Sequence, residues 1–155
     1  MKIGSGIDIH RLEFGRPLII GGIKIESSKG EVAHSDGDVL IHALIDALLG
    51  ATAQGDIGKL FPPTENKWKN INSIKLLQLT LQKIHYKKII NLDCNIILQE
   101  PKLSPYIDKI RSNLSILLSM DISNISIKAK TAEHILQEFG SGDAIFAEVT
   151  LLLEE

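Results

Sequence analysis

An α+β fold of α/β-like character is predicted by three features of this sequence. Strand-like alternation opens and closes the chain, a hairpin is centred on Gly21-Gly22, and from His34 onward helical periodicities alternate with strands. The expected architecture is a mixed sheet of about four main strands with helices packed on one face, plus a small N-terminal hairpin. At 155 residues the chain suits one compact domain, residues 1–155, and it carries no repeat, low-complexity run or linker.

Residues 2–10 place Ile3, Ile7 and Ile9 on one side and Gly4, Gly6, Asp8 and His10 on the other, the period of a strand. Residues 18–20 and 23–25 form a hairpin through Gly21-Gly22, a pair suited to a tight primed turn. Residues 27–33 read as a polar connection. Ser35, with Asp38 three residues later, marks a helix start. Val39, Leu40, Ala43, Leu44, Ala47 and Leu48 then repeat at three and four, so the helix runs to Gly50 or Gly55 with one face buried. Residues 55–65 hold too many turn formers for a regular element, and such loops often carry function.

A second helix spans residues 73–86, capped by Ser73, with Ile74, Leu77, Leu81 and Ile84 on one face; His85 near its end takes no role. Leu92, Cys94, Ile96 and Leu98 alternate as a strand, which makes Cys94 a small buried hydrophobe rather than a nucleophile. Ser104 and Pro105 suit the N-cap and first turn of a third helix ending near Ser119. Ile125, Ile127 and Ala129 mark another strand, followed by a short helical piece to Phe139, a turn at 140–143 and an apolar closing strand over 144–153.

Charged residues make up 23% and hydrophobic ones 44%, with a formal net charge of -2, a balance that disfavours a nucleic-acid partner and favours a small molecule. One cysteine allows no internal disulfide, and no charged-then-apolar leader opens the chain, so the cytoplasm is the expected compartment. No apolar run approaches the roughly 20 residues that cross a bilayer, so no membrane role is expected.

Chemistry concentrates at two places. Asp8 and His10, at i and i+2 of a strand, stand about 6.5 to 7 Å apart at the backbone, near enough to converge on one ion, and the glycines beside them leave room for an approaching group. His42 lies one turn after Asp38 and one turn before Asp46, so either carboxylate could orient its ring. Taken singly, each has a plainer reading, solvated polar residues at a strand end and a core histidine. Together Asp8, His10 and His42 supply three ligands and leave a fourth position open, the mark of a catalytic zinc site. A rival triad of His34, Asp38 and His42 needs a helix that begins before His34, whereas Ser35, Asp36 and Gly37 place the start after it.

Four blocks carry a resemblance: residues 4–10 (Gly-Ser-Gly-Ile-Asp-Ile-His), residues 33–42 (Ala-His-Ser-Asp-Gly-Asp running to His42), residues 55–62 (Gly-Asp-Ile-Gly-Lys-Leu-Phe-Pro) and residues 99–102 (Gln-Glu-Pro-Lys). In order and spacing the chain resembles the 2-C-methyl-D-erythritol 2,4-cyclodiphosphate synthase family. The resemblance implies conversion of 4-diphosphocytidyl-2-C-methyl-D-erythritol 2-phosphate to the cyclic diphosphate with release of CMP, in the methylerythritol phosphate route to isoprenoid precursors. It implies a homotrimer with active sites between subunits. It also implies zinc on Asp8, His10 and His42, one per subunit, and a second divalent cation, magnesium or manganese, on Glu133. His34 and Thr131 would stabilise the transition state. Ser35, Asp56, Ile57 and Gly58 would hold the methylerythritol end, Phe61, Pro62, Pro63, Thr64 and Glu65 would lie along the substrate, and Asp8, Ile9, His10 and His34 would also contact it. Leu98, Gln99, Glu100, Pro101, Lys102, Leu103 and Ser104 would recognise cytosine and ribose, and Lys130, Thr131, Ala132 and Glu133 would hold the diphosphate.

The sequence departs from the family pattern in places. Lys130 and Ala132 stand where threonines are usual, Pro63 where aspartate is usual, and Ser141 aligns with an expected arginine. Lys130 is the cation available to compensate for that arginine. Two other classes fit the metal ligands: a zinc-dependent phosphohydrolase, with Asp36 or Asp38 as base, and a non-catalytic zinc-stabilised binding module, which would need a fourth protein ligand.

Overall fold

Strand β1 (Lys2–Phe14) is the axis of the molecule in the computed structural model, which describes residues 1–155. It runs past His10 to Phe14, longer than the alternation suggested. Strands β2 (Leu18–Ile20) and β3 (Ile23–Ile25) pair antiparallel as a separate two-stranded sheet, joined by Gly21 and Gly22 at φ 59° and 77°, the left-handed pair of a primed turn. The connection over 27–33 holds a further strand, β4 (Lys29–Val32), on the open edge of β1. Four polar-leaning residues give little periodic signal, so the ladder with residues 11–14 makes this strand, not local preference.

Helix α1 (Val39–Ala51) follows, then the single turn α2 (Ile57–Leu60), α3 (Ser73–Lys83), β5 (Lys88–Ile97), α4 (Ile107–Leu118), β6 (Ile125–Lys130) and β7 (Ala144–Glu154). The main sheet therefore has five strands in the order β4-β1-β7-β5-β6, with β5 and β6 parallel and the other pairs antiparallel. No helix is long and apolar enough to cross a membrane.

Helix starts differ from the sequence expectation where a side chain is better employed elsewhere. Asp38, not Ser35, caps α1, accepting from the Ile41 amide at 3.0 Å. Asn72 caps α3 and makes Ser73 its first helical residue. Helix α4 starts at Ile107, past Ser104 and Pro105, which lie in the preceding turn. The helical piece expected before Phe139 does not form: Glu133, His134, Leu136 and Gln137 take φ of 51°, 57°, 64° and 47°, a left-handed winding that cannot propagate a right-handed helix.

The glycine side of β1 is the buried side. A Cβ on Gly4 would lie 1.9 Å from the Ala47 carbonyl oxygen, and one on Gly6 would lie 2.1 Å from that of Ala43. The group that the two glycines admit is thus the backbone of α1. Val39, Leu40, Ala43, Leu44, Ala47 and Leu48 of α1 are fully buried, but so are Ile41, Ile45 and Leu49, so the helix is enclosed on all sides rather than along the one face its periodicity predicted. The isoleucine side is open, with Ile3, Ile7 and Ile9 exposed by 73%, 56% and 56%.

Candidate active site

Because α1 presses on Gly4 and Gly6, His42 is carried to the middle of β1, where Asp8 and His10 stand. Asp8 Oδ2 lies 2.5 Å from His10 Nε2 and 3.0 Å from His42 Nδ1, and the two ring nitrogens are 3.2 Å apart. His10 donates from Nδ1 to the Val32 carbonyl of β4 at 3.3 Å, which leaves Nε2 free to ligate. One oxygen and two nitrogens so converged, each ring held by its other nitrogen, fit a divalent cation of the zinc type with a position left open.

The same atoms set the local electrostatics. Burial alone would raise the Asp8 carboxyl, yet the hydrogen bond from His10 and the adjoining His42 ring bring it down to about 2. Burial opposes charge on His10, but the adjoining Asp8 carboxylate outweighs it and raises its pKa.

The carboxylates expected to orient His42 are employed elsewhere. Asp38 is fully buried and accepts from the amides of Gly21 at 2.9 Å and Gly22 at 2.6 Å, tying the hairpin to α1. Burial pushes its pKa up to about 6. Asp46 accepts from the Ile57 amide at 2.7 Å and anchors the loop that begins at Gly55. The rival triad of His34, Asp38 and His42 does not assemble. Instead, Ser35 Oγ and Ser73 Oγ each lie 3.0 Å from His42 Nε2, and Ser73 Oγ also bonds Asp36.

A cavity of about 560 Å³ opens beside the three ligands. Asp8, Ile9, His10, His34, Ser35 and His42 line it together with Ile57, Gly58, Phe61 and Pro63 of the loop after Gly55. Of the remaining loop positions, Asp56 caps α2 by accepting from the Lys59 amide at 2.8 Å, while Pro62, Thr64 and Glu65 lie outside the wall. Trp68, the only tryptophan of the chain, also lines the cavity, with its ring set edge-on to Phe61 at 5.0 Å. Its singularity was the one sequence signal for it. Ser73, which the sequence offers only as a helix cap, stands beside His42 instead.

The other predicted residues gather at a second cavity of about 1050 Å³. Gln99, Glu100, Pro101, Lys102 and Thr131 line it, joined by Lys29, His134 and Ser141, which sequence reasoning left out or set aside. Leu98, Leu103 and Ala132 are buried beneath it, and Ser104 is exposed. Glu133 is exposed and accepts a hydrogen bond from the Thr131 hydroxyl. Lys130 lines neither cavity. The cations that do reach the Thr131 cavity are Lys29, held to Asp143 at 2.7 Å, and Lys102. His34 and Thr131 therefore open onto different cavities of one chain. Cys94 is fully buried away from both, and burial pushes its thiol up to about 12, as a core residue requires.

The chain matches the YgbB family over residues 1–154. It is 48% identical over 155 residues to the 2-C-methyl-D-erythritol 2,4-cyclodiphosphate synthase of Clostridium acetobutylicum, covering 99% of each protein. A solved 2C-methyl-D-erythritol-2,4-cyclodiphosphate synthase in a CDP-bound form is similar with a TM-score of 0.90 and 36% identity, over 99% of this chain and 100% of that one. The bifunctional IspDF of Campylobacter jejuni is similar with a TM-score of 0.89 and 37% identity; 97% of this chain is covered, and it spans 41% of that longer one.

Proposed function

Since this chain belongs to the YgbB family, whose matched relatives are cyclodiphosphate synthases, we infer that it converts 4-diphosphocytidyl-2-C-methyl-D-erythritol 2-phosphate to 2-C-methyl-D-erythritol 2,4-cyclodiphosphate and CMP. An oxygen of the 2-phosphate forms a bond to the β-phosphorus, the bond from that phosphorus to the bridging oxygen breaks, and CMP leaves with the electron pair. No water enters. The observation that carries the reading is the convergence of Asp8, His10 and His42 in a cavity also lined by Ile57, Gly58 and Phe61 of the loop after Gly55.

Such a reaction brings anions together, so the protein's work is positioning and neutralising charge. Asp8, His10 and His42 would hold zinc, and Glu133 magnesium or manganese, a hard cation commonly bound by one carboxylate plus substrate phosphates. When bound, these ions supply Lewis-acid neutralisation of the diphosphate. His34 and Thr131 donate hydrogen bonds as charge builds on the phosphoryl oxygens. Ser35, Ile57 and Gly58 seat the methylerythritol end, and Phe61 with Trp68 keeps water from that wall. Residues 98–104 take the cytidine through backbone groups, and Lys102 supplies a cation at the CMP side.

One chain acts as one domain in this scheme, yet its two cavities are separate halves. A homotrimer that sets the His34 cavity of one subunit against the Thr131 cavity of the next would complete each site. The apolar strip of Ile3, Ile7 and Ile9 on the open sheet face supports burial by a second copy. The proposed compartment is the cytoplasm. Product analysis tests the whole reading: the cytidyl substrate with divalent cation should yield cyclic diphosphate and CMP in equal amounts. Release of inorganic phosphate would make the protein a hydrolase, and a fully active monomer in light scattering would refute the shared site.

A further inference from the structure

We propose that Ser73 is a positioning residue for the candidate metal centre: its hydroxyl, pinned by Asp36, holds the His42 ring with Nε2 protonated and Nδ1 open toward Asp8 and His10. The inference rests on the reading of Asp8, His10 and His42 as metal ligands. Ser73 is the first residue of α3, is fully buried, and takes no part in capping that helix, a task done by Asn72.

The direction of each hydrogen bond follows from the groups. Asp36 accepts at both oxygens, from the Ser73 amide at 3.0 Å and from the Ser73 hydroxyl. A carboxylate cannot donate, so the only Ser73 hydroxyl proton goes to Asp36, and the lone pairs of Oγ remain to accept. The group 3.0 Å away is His42 Nε2, which must then carry the proton. A neutral imidazole protonated at Nε2 presents its lone pair at Nδ1, the nitrogen that faces Asp8 at 3.0 Å and His10 at 3.2 Å. The chain Asp36 to Ser73 to His42 thereby selects the ring tautomer and its rotation before any ion arrives.

Ser35 does not duplicate this role. Its Oγ is also 3.0 Å from His42 Nε2 and accepts from the Gly37 amide at 3.1 Å, but no carboxylate takes its proton. The Ser35 hydroxyl can turn toward the cavity it lines. Ser73 is fixed and Ser35 is free.

The test is zinc titration of metal-stripped protein against a chromophoric chelator, for the unmodified chain, His42→Ala, Ser73→Ala and Ser73→Thr, with circular dichroism as a check on folding. Ser73→Ala should raise the zinc Kd by about 10- to 100-fold, the usual cost of losing a group that orients a ligand, while Ser73→Thr, which keeps the hydroxyl, should restore most of it. Unchanged affinity in a folded Ser73→Ala, with zinc lost in His42→Ala, would overturn the role of Ser73 and leave the metal reading standing. Equal zinc binding by the unmodified chain and His42→Ala would overturn both. Nitrogen NMR of the His42 ring in the metal-free, unmodified chain gives a check that needs no variant. A proton on Nε2 is expected, and a proton on Nδ1 would overturn the proposal.

Discussion

Replacing Gly6 with alanine should loosen the fold and the metal centre together, because one packing contact serves both. A Cβ at Gly6 would sit 2.1 Å from the Ala43 carbonyl oxygen and 2.5 Å from the Ala47 amide nitrogen, both backbone atoms of α1 that cannot rotate away. Bringing the closer contact from 2.1 Å to an ordinary 3.4 Å needs an opening of about 1.3 Å between β1 and α1. Overpacking of this kind costs about 1 to 3 kcal/mol, which in a chain of this length lowers Tm by about 2 to 12 °C. His42 rides on α1, so its Nδ1 would move from 3.0 Å to beyond 4 Å from Asp8, and zinc affinity should fall about tenfold or more. Gly50→Ala is the control on the same helix. Its Cβ would meet nothing nearer than the Ser5 carbonyl oxygen at 3.6 Å, and it should be neutral or stabilise by about 0.5 kcal/mol through helix propensity. Thermal melts with and without zinc, and a zinc titration, read both effects. A Gly6→Ala protein with the Tm and zinc affinity of the unmodified chain would refute the argument that this glycine sets the ligand spacing.

Two further substitutions separate metal binding from scaffold. His42→Ala should abolish tight zinc binding while retaining the fold, whereas Asp38→Ala should leave zinc binding largely in place yet cost about 3 kcal/mol, because it unpairs the amides of Gly21, Gly22 and Ile41; equilibrium denaturation and metal analysis give the two readouts, and the reverse pattern would revive the triad containing Asp38. The metal-free protein should also show a pH optimum set by the Asp8–His10 pair. Asp8, held at about 2, contributes stability above its unfolded value near 3.9 that is lost as pH falls toward 2. His10, whose pKa is raised, contributes stability below its unfolded value near 6.5 that is lost as pH rises through the folded value. The pair therefore stabilises by about 2 kcal/mol between about pH 4 and 6.5. Denaturant unfolding of the metal-free unmodified chain and of Asp8→Asn should diverge in that window, and parallel profiles across it would contradict the assignment.

What is local or periodic can be read from the residues alone. The alternation over residues 2–10, the three-and-four repeat after Asp38 and the Gly21-Gly22 turn each follow from the geometry of a single element, and each recurs in the fold. Asp8 and His10 could be placed on one face for the same reason, and His42 on the helix that meets them. The partnerships come from packing between elements distant in the chain. Spacing of four offered Asp38 and Asp46 to His42, yet α3 and the loop before α1 deliver Ser73 and Asp36 instead, at a sequence separation no helical period reports. Edge strand β4 owes its form to the ladder on β1, and the left-handed winding after Glu133 replaced an expected helix. The glycines show the division most directly. Their presence beside Asp8 announced that something approaches the backbone, but hydrogen-bonded and packed neighbours come from distant parts of the chain, so only the folded molecule could say that α1 is what arrives.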